Sequence, residues 1–223
     1  MPSNIAGAPY SANQVTERTV IHADGTPVTI PAEEQTMYRD SAGRTRIDID
    51  VRNCRTAPCL VTIVDPLAGF RYEINSYSRV VERFAIPVSQ PPAIDPPSRT
   101  PDMVVSTRPI MDGAVRGIGM AENHFETTSE FLGTQMIEGI AAEGGRIVTT
   151  LEAGAAGNDH EVAVTDERWA SKELRILVLT KLLDPRYGDT ISRLTHISLA
   201  EPDPAVFIPP ANYTIKDMPT PNP

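Results

Sequence analysis

At 223 residues and 24.3 kDa, with 40% apolar but only 5% aromatic residues, the chain can bury a sizeable core, and residues 1–223 read as one large β domain rather than two small ones. A net charge of −9 and a pI of about 4.9 exclude the basic footprint of a nucleic-acid binder, and an anionic membrane surface would repel such a chain. No stretch approaches the roughly 18 apolar residues of a transmembrane segment, and 21 prolines against 14 glycines fit many strand ends with one proline-rich loop.

Residues 14–22 (QVTERTVIH) form the first expected strand. Ala23-Asp24-Gly25-Thr26 is a hairpin turn, and residues 27–39 form a second strand interrupted at Pro31, the mark of an edge or a bulge. After a turn at Ser41-Ala42-Gly43-Arg44, residues 45–52 (TRIDIDVR) alternate strictly. Ile47, Ile49 and Val51 share one face, Arg46, Asp48, Asp50 and Arg52 the other. Cys54 and Cys59 lie in NCRTAPC between two strand-like runs, where a local disulfide can close the connection; two free buried thiols are the alternative. Their spacing is not that of a redox CxxC pair, and no second cysteine pair exists to complete a zinc site.

Residues 60–64 (LVTIV) are apolar on both faces. Asp65-Pro66-Leu67-Ala68-Gly69 then turns into FRYEIN, where Phe70, Tyr72 and Ile74 alternate with Arg71, Glu73 and Asn75, and a further strand spans about residues 79–86. Six prolines in residues 87–101 exclude a central strand or helix, and residues 102–126 lack a clear period, so 87–126 reads as a proline-rich insertion and loop or lid. Strands resume at about 129–138, 140–151, 159–169, 174–183 and 189–200. A short link covers Ala170-Ser171-Lys172-Glu173, and a proline-led helical turn covers 202–207. About eleven strands in sequential hairpins, with few short helices, predict a mainly β fold: an antiparallel curved sheet closing as a half-barrel or barrel. No fixed-period repeat supports a propeller.

Three segments carry a resemblance. YRDSAGRTRID (38–48), IVDPLAGFRYEI (63–74) and the run from ERWASKEL (167–174) to PDPAVFIPPANYTI (202–215) resemble a group of secreted β-rich proteins abundant in acidobacterial genomes. More loosely the pattern is similar to the lipoprotein-carrier fold, an open half-barrel over an apolar cavity. The resemblance implies an exported protein whose leader has been removed and a cavity for an acyl chain or another apolar molecule. Met1-Pro2-Ser3-Asn4 is not itself a charged leader, and the resemblance places the chain in the periplasm or outside the cell.

Catalytic signatures are sparse. His22, His124, His160 and His196 form no HxH, HxxxH or HExxH array, so no metal and no cofactor is expected. There is no G-x-S-x-G, and the glycine pairs lack the setting of a phosphate loop; Gly144-Gly145 reads as a turn. Asp48 and Asp50, flanked by Arg46 and Arg52, read as an ion-pair ladder. Trp169, the only tryptophan, reads as a core anchor. The leading expectation is an exported or envelope-associated binding protein whose apolar groove is lined by Ile47, Ile49, Phe70, Tyr72, Val162 and Val164. The alternative is a hydrolase of small esters, glycosides or phosphates assembled from His124, His160 or His196 with Asp or Ser. A third reading is a structural protein that pairs through its sheet edges.

Overall fold

A computed structural model describes residues 6–50, 58–86, 125–155 and 157–219. Twelve strands form one curved, unclosed sheet. In chain order they are β1 (Tyr10–Ile21), β2 (Pro27–Arg39), β3 (Thr45–Ile49), β4 (Leu60–Asp65), β5 (Phe70–Asn75) and β6 (Val80–Ala85), then β7 (Phe125–Ile137), β8 (Ile140–Leu151), β9 (Val162–Ser171), β10 (Ile176–Asp184), β11 (Gly188–Ser198) and β12 (Thr214–Met218). One 3-10 turn, η1 (Pro204–Phe207), precedes β12. The expected half-barrel is present with one strand more than predicted. β12 is short and charged, and it pairs parallel to a strand far earlier in the chain, β6, so no local alternation marks it.

The spatial order is β12-β6-β5-β4-β3-β2-β1-β11-β10-β9-β8-β7. Two meanders, β1 to β6 and β7 to β11, are thus joined where β1 pairs antiparallel with β11. Turn chemistry sets the hairpins. Asp40 accepts from the Arg44 amide and side chain (2.8 and 2.6 Å) around Gly43 at φ +85°, and Asp65 accepts from the amides of Leu67 and Ala68 (3.0 and 2.9 Å). The interruption at Pro31 is a bulge, Thr16 pairing Glu33 but Arg18 pairing Ile30, in a stretch of β2 that β3, paired at Gln35–Arg39, does not reach. Phe125 and Glu126 belong to β7, so that strand starts earlier than the periodicity suggested. The remainder of the 87–126 insertion lies outside the described residues, as do Cys54 and His124.

Register relates the two faces from strand to strand. Tyr38, Arg46, Ile63 and Tyr72 are opposed in turn across β2 to β5 and therefore share a face. On this face η1 packs: Phe207 joins Val61, Ile63, Ile74 and Val81 in a buried cluster, and Arg46 donates to the Val206 carbonyl at 2.6 Å. Asp203 caps the turn by accepting from the Ala205 amide at 2.9 Å. We call this the covered face. A second cluster gathers Tyr10, Ala12 and Leu194 with Leu174 and Val178 of the β9–β10 hairpin and with Ile140, Ala142 and Trp169. Gly144 and Gly145 are inside β8, not at a turn: a Cβ on Gly144 would meet the Trp169 ring at 2.6 Å, so the glycine makes room for the indole.

The covered face carries a transverse ion-pair ladder across β7 to β10. Glu130, Arg146, Glu167 and Lys181 are opposed in register, with bridges of 3.3, 2.9 and 2.9 Å. The Trp169 indole donates to Glu167 at 2.9 Å. That hydrogen bond, with those from Lys181 and Arg146, lowers the Glu167 carboxyl to about 2.

Two outcomes follow from this packing. A Cβ on Gly188, at φ +107°, would stand 1.8 Å from the Thr19 carbonyl oxygen, a backbone atom that cannot give way. Gly188→Ala should cost about 3 kcal/mol or more and lower Tm by roughly 10 °C in calorimetry. Glu167 is a carboxylate with a depressed folded value. Its contribution is complete above the unfolded carboxyl range near pH 4.5 and is lost as pH falls through about 2. Glu167→Gln should therefore cost on the order of 2–3 kcal/mol at pH 7, and denaturation series at pH 7 and pH 2.5 should show the gap to wild type shrinking in acid.

Candidate functional site

The face opposite the covered one is built by the other half of each alternation. Ile49 stands between Gln35 of β2 and Leu60 of β4, and Ile49 and Leu60 remain 37% and 42% exposed. Farther along the same face Val20 is opposed to Val28 and Arg18 to Ile30, while Leu182 lies across Thr190 from Arg18. Val20, Val28, Ile30 and Leu182 are all exposed. The exposed large apolar residues of the described strands fall on this open face, Ile215 of β12 excepted. Between the two apolar regions runs a side-chain hydrogen-bond chain: Gln35 donates to Gln14 (2.7 Å), Gln14 to Ser192 (2.6 Å), and Thr16 to Ser192 (3.1 Å). These amides and hydroxyls satisfy one another in the plane of the sheet, so a ligand crossing them meets no unpaired polar row.

At one end the face is closed. The Arg39 guanidinium is fully buried, lies 4.8 Å over the Tyr10 ring, and donates to the carbonyls of Ala8 (2.8 Å) and Leu174 (2.6 Å), which ties the β9–β10 hairpin down on β1 and β2. Burial lowers its pKa from the usual guanidinium value.

The six residues expected to line one groove are divided by the register. Ile47, Ile49, Val162 and Val164 are on the open face, whereas Phe70 and Tyr72 are on the covered face beside Ile63. Alternation within a strand separates its faces but does not relate them to those of another strand, and β3 and β4 differ in phase. Even on the shared face, β3 and β9 are five strands apart, about 24 Å at the usual spacing. Val162 is buried, and burial raises the Tyr72 phenol pKa. Leu60, Leu182 and the Val20/Val28/Ile30 group were not anticipated. The i, i+2 repeat of Val28 and Ile30 across a hairpin from Val20 was the available signal.

His160 and His196 do not converge. His160 lies in the β8–β9 connection beside Asp159, not in a strand as the expected run at about 159–169 implied. His196 sits at the β1–β11 bulge with φ +53°, its ring 3.3 Å from the Thr195 hydroxyl. The two mark opposite ends of the antiparallel strands, about 25 Å apart along the chain direction. Among the described residues no group of three or more His, Cys, Asp or Glu side chains could hold a metal ion. A depression of about 220 Å³ is lined by Thr134, Ala141, Glu143, Ala170, Lys172 and Glu173, and is crossed by the Lys172–Glu143 bridge at 2.6 Å. That is smaller than the usual few hundred Å³ of a small-molecule pocket, so the open face itself is the candidate site.

No family model matches the chain, and no curated protein matches it. Similar solved structures include the Pseudomonas aeruginosa MucA/MucB complex, at 11% identity and TM-score 0.43 over 93% of this chain and 58% of that one. A DUF1329 family protein from Desulfovibrio piger is 11% identical, with TM-score 0.31 over 91% and 90% of the two chains. The Mycobacterium tuberculosis lipoprotein LppX is 14% identical, with TM-score 0.27 over 88% and 90%. The chain therefore spans less than two thirds of the MucA/MucB structure's matching chain. Similarity of this degree assigns neither a family nor an activity.

Proposed function

We propose that the protein is an exported binding protein that receives a lipid-like or other hydrophobic ligand on the open face of its sheet. The observation that carries this reading is the one-sided placement of the exposed apolar residues: Ile49, Leu60, Val20, Val28, Ile30 and Leu182 share a face that nothing among the described residues covers along their positions. Exposed apolar residues gathered on one face in this way mark interaction sites. The covered face is filled by Phe207 and the ion-pair ladder and offers no comparable surface. Eight methylenes fully removed from water would contribute on the order of 6 kcal/mol before ordering costs, at 0.8 kcal/mol each.

The hydrolase alternative required two histidines and a carboxylate within hydrogen-bonding reach. His160 and His196 do not supply that arrangement. The export reading goes with a Cys54–Cys59 disulfide. Cys59 is buried, donates from its amide to the Ile49 carbonyl at 3.2 Å, and accepts from the Ser76 amide at 3.0 Å, which ties it to the ends of β3 and β5.

Titration with a fluorescent fatty-acid analogue should give saturable binding. Ile49→Glu and Leu182→Glu should each weaken it about tenfold or more with the circular dichroism spectrum unchanged. Absence of saturation up to the probe's solubility limit, or binding indifferent to both substitutions, would remove the open face as the site. For the cysteines, unfolding without reductant should expose no titratable thiol, and reduction should lower stability by about 2 kcal/mol. Two thiols per chain would refute the bridge.

A further inference from the structure

The two edges of the sheet are finished differently. β12 has five residues, runs parallel to β6 and carries Lys216 and Asp217, the latter held by Arg83 at 2.6 and 3.0 Å; Pro219 follows. Shortness, charge and proline are the devices by which sheets blunt an edge. β7 has almost none of them. It is thirteen residues long, contains no proline, lysine or arginine, and among the described residues pairs on one side only, with β8. Every residue from Phe125 to Phe131 is exposed. An edge strand leaves the N–H and C=O of every second residue unpaired by the sheet, which is a template for another strand.

The regular template has defined limits. The register shifts between Phe131 and Gly133, where Gly133 takes φ +82° and the bulge ends the even ladder. Seven residues remain, about 23 Å of strand. Their side chains alternate: Phe125 and Phe131, 54% and 65% exposed, point to the open face, while Glu126, Thr128 and Glu130 are on the covered side. Glu130 meets Arg146 at a long 3.3 Å and is itself well exposed, so its carboxylate still faces solvent beyond the edge. Directly opposed residues in an antiparallel pair share a face, and opposite charges across it are favourable.

From these observations we infer that β7 accepts an extended segment of a partner protein, antiparallel along Phe125–Phe131. The segment alternates basic side chains, set against Glu126 and Glu130, with apolar ones set beside Phe125 and Phe131. A chain of net charge −9 favours the same sign of partner. A second copy of this chain fits poorly. Self-pairing over the full run is centred on Thr128 and sets Glu126 against Glu130 of the other copy in both symmetric positions, between two molecules of like charge. The inference does not rest on the ligand reading, because it uses the β7 edge and the two phenylalanines of that strand, not Ile49, Leu60, Val20, Val28, Ile30 or Leu182.

The test uses the whole protein and a labelled nine-residue peptide of alternating lysine and valine at 0.15 M salt. The expected result is saturable one-to-one binding in fluorescence anisotropy, with slowed amide exchange confined to residues 125–131. Glu126→Lys combined with Glu130→Lys should weaken binding at least tenfold, and Glu126→Gln, which leaves the Glu130–Arg146 bridge in place, about threefold. The same peptide with prolines at alternate valines should fail to bind. Equal binding of the proline peptide, equal binding of a glutamate–valine peptide, or protection outside β7 would overturn the proposal. So would a concentration-dependent dimer in sedimentation that Phe131→Lys abolishes, since the edge would then serve self-association. Fatty-acid titration of the same variants should be unchanged, which separates failure here from failure of the ligand site.

Discussion

The antiparallel pairing of β1 with β11 is the constraint on which the rest of the architecture depends. Each meander is local: β1 to β6 and β7 to β11 are runs of neighbours in sequence that also neighbour in the sheet. Among the described residues the β1–β11 ladder is the strand pairing that fuses them, through seven paired positions from Ser11↔Ser198 to Arg18↔Thr190 and the side-chain bonds of Gln14 and Thr16 to Ser192. Its loop-closure entropy is large, because the partners are nearly the whole chain apart, and it is offset only when both meanders are already in place. Arg39 extends the same join. By reaching from β2 to the Leu174 carbonyl it fastens the second meander's hairpin to the first meander's strands. The cost is a guanidinium taken out of water with its Nη1 unbonded among the described groups, held by the Tyr10 face and two backbone carbonyls.

From that join follows the difference between the edges. With β1 at the centre, β6 and β7, consecutive in the chain, are carried toward opposite sides of the sheet. The β6 side is closed by β12 and the charged Arg83–Asp217 pair; the β7 side is left as a long acidic and aromatic strand. The same join aligns the faces. Apolar residues of the first meander, Ile49 and Leu60, and of the second, Leu182, become parts of one open surface, while Phe207 and the Glu130–Arg146–Glu167–Lys181 ladder occupy the other side.

Much of this was legible in the residues. TRIDI alternates because β3 has two unlike faces, and Arg46 does bridge Asp48 at 2.6 Å, but that ion-paired side is the half-buried, covered one, while Ile49 on the other side is exposed. YRDSAGR and DPLAG are turns because Asp40 and Asp65 satisfy the amides that follow them. Trp169 is buried, as its isolation in an aromatic-poor chain suggested. The proline-led segment at 202–207 is one 3-10 turn that places Phe207 in a core. Phe70 and Tyr72 fall on the face opposite Ile47 and Ile49 for an equally specific reason: FRYEIN has the same alternation as TRIDI, and nothing inside either segment states their relative phase.

The chain's own sequence therefore determined where strands begin and turn, and that each strand has two unlike faces, because side-chain direction alternates with period two and turns are made by neighbouring residues. It did not determine which faces coincide, which edge is blunted, or that β12 exists, since those depend on pairings between residues far apart in the chain. A one-residue change of register reverses every side chain of a strand. Only the tertiary ladder, above all the one between β1 and β11, removes that ambiguity and turns separate alternations into one covered face and one open face.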